Sequence, residues 1–121
     1  MALKSELMAL GLPAKLAERL GFDASQTVAA AGTNQATATV LVGNFTIIST
    51  APASTGVLLQ SVGSGGIQAI YNAGANTVKV YGNGTDTING IAGSTGISVP
   101  TAKSATFFAC GAGGFIGNVS A

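Results

Sequence analysis

Apolar positions recur along this chain with two different spacings. Leu3, Leu7 and Leu10 follow the i, i+4, i+7 rhythm of one helix face, and Leu12, Leu16 and Leu20 form a second such stripe. Gly11 is a natural helix stop, and Pro13 suits the first turn of a new helix. The spacing therefore predicts two short helices, 2–10 and 13–20, bent at Gly11-Leu12-Pro13. Neither is long enough to be stable alone in water. The pair is expected either to cap the rest of the chain or to dock on another protein. The six leucines, Leu3, Leu7, Leu10, Leu12, Leu16 and Leu20, are the candidate partner-binding residues.

From residue 22 onward the vocabulary changes to Val, Ile, Thr, Ser, Gly and Asn. Candidate strands lie at 36–42, 44–49, 56–61, 66–72, 77–81, 86–91, 96–99, 104–110 and 114–119. Turn signals separate them, among them Gly63-Ser64-Gly65-Gly66, Asn72-Ala73-Gly74, Gly82-Asn83-Gly84, Asn89-Gly90 and Gly93-Ser94. Short strands at this spacing, with no helical pattern between them, indicate an antiparallel β-sandwich or jelly-roll-like barrel. The expected architecture is mainly β: a two-helix anchoring segment at 1–21 and a β-sandwich body at 22–121. Alternation is clear in Val78-Lys79-Val80-Tyr81 and in Ile67-Gln68-Ala69-Ile70-Tyr71. It weakens in Val57-Leu58-Leu59 and in Phe107-Phe108-Ala109-Cys110. Continuous apolar runs suggest strands covered on both sides, and in a chain this short the second cover could be another subunit.

Charge sharpens the division. Residues 1–21 hold Lys4, Glu6, Lys15, Glu18 and Arg19, whereas the following hundred hold only Asp23, Lys79, Asp86 and Lys103. Charged residues make up 7% of the 121 positions, against about 25% in an ordinary soluble domain. A monomeric β domain normally mixes charges over its surface and blunts its edges with Lys or Pro. This body is expected to bury its flanks against copies of itself or a larger assembly. The balance of five basic and four acidic residues gives no field for nucleic acid. No apolar run approaches the ~18–20 residues needed to cross a bilayer, and the N-terminal charges interrupt any signal-peptide core. Neither nucleic acid nor membrane is expected as a partner, and synthesis in a cytoplasm is.

Candidate chemistry is sparse. The chain has no histidine, so a His base, a His metal ligand and a His-containing triad are excluded. The four carboxylates, Glu6, Glu18, Asp23 and Asp86, show no spacing that pairs them for acid–base work. Asn83-Gly84-Thr85-Asp86-Thr87 loosely resembles an oxygen-rich calcium loop, but one aspartate is too few, and Asp86 reads as a turn residue. Cys110 has no base to activate it and no disulfide partner in the chain, and is expected as a small buried hydrophobe. Gly63-Ser64-Gly65-Gly66 and Gly111-Ala112-Gly113-Gly114 lack the lysine of a phosphate-binding loop and read as hairpin connections. Tyr71 and Tyr81 could stack on sugars, but read first as a cross-strand pair. No catalytic, metal or cofactor site is expected, and the chain is not expected to be an enzyme.

The stretch Ile67-Gln68-Ala69-Ile70-Tyr71-Asn72-Ala73-Gly74-Ala75-Asn76-Thr77-Val78-Lys79-Val80-Tyr81 is followed by Thr87-Ile88-Asn89-Gly90, Gly96-Ile97-Ser98-Val99-Pro100 and Lys103-Ser104-Ala105-Thr106-Phe107-Phe108. Together with the leader Ala9-Leu10-Gly11-Leu12-Pro13-Ala14-Lys15-Leu16-Ala17-Glu18-Arg19-Leu20-Gly21, it resembles the small β-rich virion proteins of tailed bacteriophages, of the head decoration, cement and head-fibre type. The resemblance implies a non-enzymatic virion protein on a capsid surface. It would be a homo-oligomer, commonly a trimer, in contact with the major capsid protein. The chain has no extended stalk or repeat region, which favours a compact decoration subunit over a long fibre. The alternative is a receptor- or glycan-binding knob on a head fibre or tail tip.

Overall fold

A computed structural model describes residues 9–11, 26–61, 66–111 and 113–121 of the chain. Leu3, Leu7, Leu12, Leu16 and Leu20, and with them nearly all of the expected two-helix segment, lie outside the described residues. Leu10 is described, and is 82% exposed. Gly11 beside it adopts φ 98°, the left-handed conformation that a glycine helix stop provides.

The described body is mainly β. Ten strands follow one another: β1 (Gln26–Ala29), β2 (Thr39–Val40), β3 (Phe45–Thr50), β4 (Gly56–Leu58), β5 (Ile67–Asn72), β6 (Val78–Tyr81), β7 (Thr87–Ile88), β8 (Ile97–Val99), β9 (Ser104–Ala109) and β10 (Gly114–Val119). They form a six-stranded sheet in the order β1-β3-β5-β9-β10-β7 and a four-stranded sheet in the order β2-β4-β6-β8. Up to β9 the chain alternates between the sheets. Gln26 on β1 therefore lies beside Thr46 on β3, and Thr46 beside Ile70 on β5, each one coil of chain further on. In the smaller sheet Thr39 pairs with Val57, and Val57 with Val80, in the same way.

The expected antiparallel pairing is corrected by these registers. β1–β3, β3–β5, β2–β4, β4–β6 and β10–β7 are parallel. The first half is wound as a solenoid-like stack, not folded as a meander. The physical reason is that most of the Gly/Asn turns stand at corners between sheets. A chain that crosses to the other sheet and returns re-enters the first sheet in its original direction. Antiparallel pairing begins only where the winding stops, with β8 against β6 and β9 against β5. The Gly111–Gly114 turn then closes the β9–β10 hairpin, as the glycine run predicts, with Cys110 N–H donating to the Gly114 carbonyl at 3.0 Å.

One apolar core lies between the sheets. Ile48, Ile70, Phe107 and Phe115 from the larger sheet meet Val57, Val78, Val80 and Val99 from the smaller, all nearly or fully buried. Side-chain amides stitch the corners to this core. Asn72, completely buried, donates to the carbonyls of Asn76 and Val99 at 2.8 and 3.0 Å and accepts from Gly74 N–H at 3.0 Å. Gln68, also buried, accepts from Gln60 N–H and donates back to the Gln60 carbonyl. Asn76 reaches the Ala51 carbonyl, and Asn83 that of Leu59. Among the described residues no buried side-chain polar atom lacks a partner, as interior polar groups require.

Candidate functional site

Asp86 stands in the turn before β7, its N–H bonded to the Asn83 carbonyl at 2.9 Å, which fits its reading as a turn residue. Glu6, Glu18 and Asp23 lie outside the described residues. Among the described residues no three acidic, Cys or His side chains gather as metal ligands would. No described helix is long and apolar enough to cross a membrane.

Two expectations are corrected. Cys110 is exposed rather than buried. It follows the last residue of β9, where the chain leaves the sheet for the glycine turn, and no layer of the described body covers it. Tyr71 and Tyr81 do not form a cross-strand pair. Tyr71 lies on β5 between Ile47 and Ser104 in the larger sheet, while Tyr81 lies on β6 beside Leu58 in the smaller. Strands that alternate between sheets separate neighbours in sequence.

Tyr81 is only 6% exposed, its ring held with one edge against Gly56 and the other near Gly96. A Cβ on Gly56 would come within 2.6 Å of the ring edge and 2.7 Å of the Lys79 carbonyl. Beside it is an open cleft of about 360 Å³ lined by Thr33, Thr55, Thr77, Lys79, Tyr81 and Ser98, among others. The Tyr81 ring is too covered to offer a face for stacking on a sugar.

The outstanding surface is the outer face of the larger sheet. Along each of its long strands, alternate residues enter the core and the others point out. The outward set on β3 is Phe45, Ile47 and Ser49, and on β5 it is Ile67, Ala69 and Tyr71. The register aligns these sets in rows. Ile67, Phe108 and Ile116 form one row; Phe45, Ala69, Thr106 and Asn118 the next; Thr27, Ile47, Tyr71 and Ser104 a third. Phe45, Ile47, Tyr71, Phe108 and Ile116 are 40–61% exposed, and no row contains a charged residue.

Each of those five leaves two-fifths or more of its surface open, and Ile67, Ala69 and Thr106 link the Phe108–Ile116 pair to Phe45, Ile47 and Tyr71. The largest apolar patch on a protein surface is often functional. The run Phe107-Phe108 pointed to it: Phe107 is fully buried, and Phe108 is 47% exposed on the opposite side. Phe45 and Ile47 escaped sequence reasoning. The available signal was apolar residues at both parities of Phe45-Thr46-Ile47-Ile48, a pattern that requires cover on two sides.

Of the six candidate leucines only Leu10 is among the described residues, and it is exposed. Comparison with known proteins finds no matching family model, no matching curated protein and no matching solved structure.

Proposed function

We propose that this protein is a non-enzymatic structural subunit that works by self-association and by attachment to a larger shell, as a decoration or cement protein on a tailed-phage head. The observation that carries this reading is the uncharged, apolar outer face of the larger sheet. Its partners in this reading are copies of itself, with a trimer the form its resemblance implies, and the major capsid protein. Its place is the capsid surface of the virion, after synthesis in the host cytoplasm. The two sheets serve as a sandwich-like block, and the leucines of residues 1–21 serve as the anchor.

Small neutral side chains suit such a role, since Ser, Thr and Gly lose little rotamer entropy on ordering and carry no charge to desolvate. Repetition over a symmetric shell multiplies a modest contact through avidity. The alternative of a receptor- or glycan-binding knob has no comparable observation behind it.

Density-gradient fractionation of phage particles from the source culture, with peptide quantitation across the gradient, tests the reading. The chain is expected to travel with the major capsid protein in many copies per particle. Finding it only at the top of the gradient, free of particles, refutes the reading. A variant lacking residues 1–21 is expected to keep the cooperative unfolding of the body but to stay at the top. Unchanged co-migration of that variant would remove the leucines from the anchor role.

A further inference from the structure

We infer that the cleft on the outer face of the smaller sheet is a binding site for a small ligand bearing a tetrahedral oxyanion, phosphate or sulfate. Such a site does not depend on the structural-subunit reading above.

The register builds the floor of the cleft. Gly56 on β4 pairs with Lys79 on β6, and Lys79 with Ser98 on β8. Their neighbours Val57, Val78, Val80 and Val99 enter the core. Side chains alternate along a strand, so the row Gly56, Lys79 and Ser98 points away from the core. Gly56 brings no side chain, and the edge of the Tyr81 ring takes that place. Since β6 lies between β4 and β8, the floor carries one long cationic side chain at its centre.

Backbone bonds hold the walls. Ala31 and Gly56 exchange N–H to carbonyl bonds at 3.2 Å, which fixes the segment carrying Thr33 beside β4. The Tyr81 hydroxyl donates to the Thr33 carbonyl at 3.4 Å. Lys79 N–H donates to the Thr55 carbonyl at 3.0 Å, and the Thr55 hydroxyl to the Pro52 carbonyl at 2.6 Å, so the turn carrying Ser54 is held from both sides. A cleft framed in this way needs little ordering when a ligand enters. Its volume of about 360 Å³ falls at the lower end of the ~300–1,000 Å³ of small-molecule sites.

The lining selects the ligand. It holds one cation and no carboxylate. Among the described residues nothing accepts a hydrogen bond from the Lys79 ammonium, whereas Lys103 donates to the Ala121 carbonyl. The hydroxyls of Thr37, Thr39, Ser49 and Thr101 are tied to backbone carbonyls. Those of Thr33, Ser54, Thr77 and Ser98, around the cleft, have no partner among the described residues. An ammonium can only donate, and hydroxyls rotate to donate beside it. The site therefore suits negatively charged oxygens, whose hydrogen bonds to such donors are the strong ones. A planar carboxylate is best met by the fork of an arginine, and the lining has none. Donors converging from a loop, two turns and β8 onto a point charge suit a tetrahedral group, whose oxygens diverge.

Titration of the full chain with sodium phosphate and with sodium sulfate, followed by backbone amide NMR shifts, tests the site; sodium chloride at matched ionic strength and glucose are run beside them. Saturable shifts are expected with phosphate, sulfate or both, centred on residues 33, 54–56, 77–79 and 98, and weakening as sodium chloride is added. Lys79→Gln is expected to weaken binding by about tenfold or more, through loss of a charge-assisted bond, and Lys79→Arg to retain most of it. Ser54 stands at φ 63°, a conformation that glycine adopts without steric cost. Ser54→Gly is therefore expected to unfold as cooperatively as wild type while binding severalfold more weakly, and it keeps the test open should Lys79→Gln fail to fold.

The absence of saturable shifts with both oxyanions overturns the inference. So does an equal response to chloride, which marks mere screening, or binding of glucose alone. Oxyanion binding left unchanged by Lys79→Gln and Ser54→Gly places the ion elsewhere and overturns it equally.

Discussion

Asn72 shows how a nearly uncharged interior can still be specific. Its amide satisfies two carbonyls and one N–H from a completely buried position at the corner where β5 turns toward β6. Leucine would fill the volume but leave those backbone groups without partners. Asn72→Ala is expected to destabilise the body by about 2–4 kcal/mol, since two or more buried groups lose their bonds; chemical denaturation measures it. Ala102 carries the opposite kind of cost, held at φ 62° in the turn before β9. An L-residue pays steric strain there that glycine does not. Ala102→Gly is expected to raise stability by roughly 0.5 kcal/mol, after the added freedom of the unfolded chain is subtracted. Little at this scale was legible in the sequence. Cys110 looks like a core residue because Phe107, Phe108 and Ala109 precede it, yet burial depends on where the strand ends. Tyr81 owes its burial to Gly56, a residue far away in sequence.

At the scale of elements, the strands were legible and their directions were not. Glycine and asparagine punctuate the chain at nearly every corner, so β3, β5, β9 and β10 fall where alternation and turn residues place them. Alternation with a period of two is the same in parallel and antiparallel strands, so nothing local distinguishes a corner between sheets from a hairpin within one. β1 was missed for a related reason. Gln26-Thr27-Val28-Ala29 shows no strong apolar alternation, and becomes a strand by pairing with β3. β9 gives the sharpest prediction here. Phe107 is fully buried and its neighbour Phe108 is half exposed. Phe107→Ala is expected to cost about 3–5 kcal/mol. Phe108→Ser is expected to cost clearly less, about 1–2 kcal/mol, because half of that residue already faces solvent. Equal losses at the two positions would mean that the outward face of β9 is covered within a single chain.

For the whole molecule, the shortage of ionised groups shapes the response to its surroundings. The chain has no histidine, the one side chain whose ordinary range spans pH 5–8. Its melting temperature is expected to stay nearly constant across that interval, and calorimetry in matched buffers checks this. A pronounced slope would point to a strongly displaced carboxylate. Low charge was the clearest whole-molecule signal in the sequence, and it suggested crowded flanks. The structure moves attention from the edges, which are short, to a broad apolar face. Composition can announce that surface must be hidden, but only the register says which residues share it.

The reversal at β8 and β9 has one more consequence. The smaller sheet ends at β8, which runs against β6, and the wound strands of the larger are followed by the antiparallel β9, whereas β1 and β2 are the outermost described strands on the other side. Among the described residues the stack thus has a polarity, with a reversal on one side and, on the other, strands beside which a further coil would meet no described register. Lengthening by duplication of a coil is the change this architecture accommodates most readily, and it would extend the apolar wall by one strand at a time.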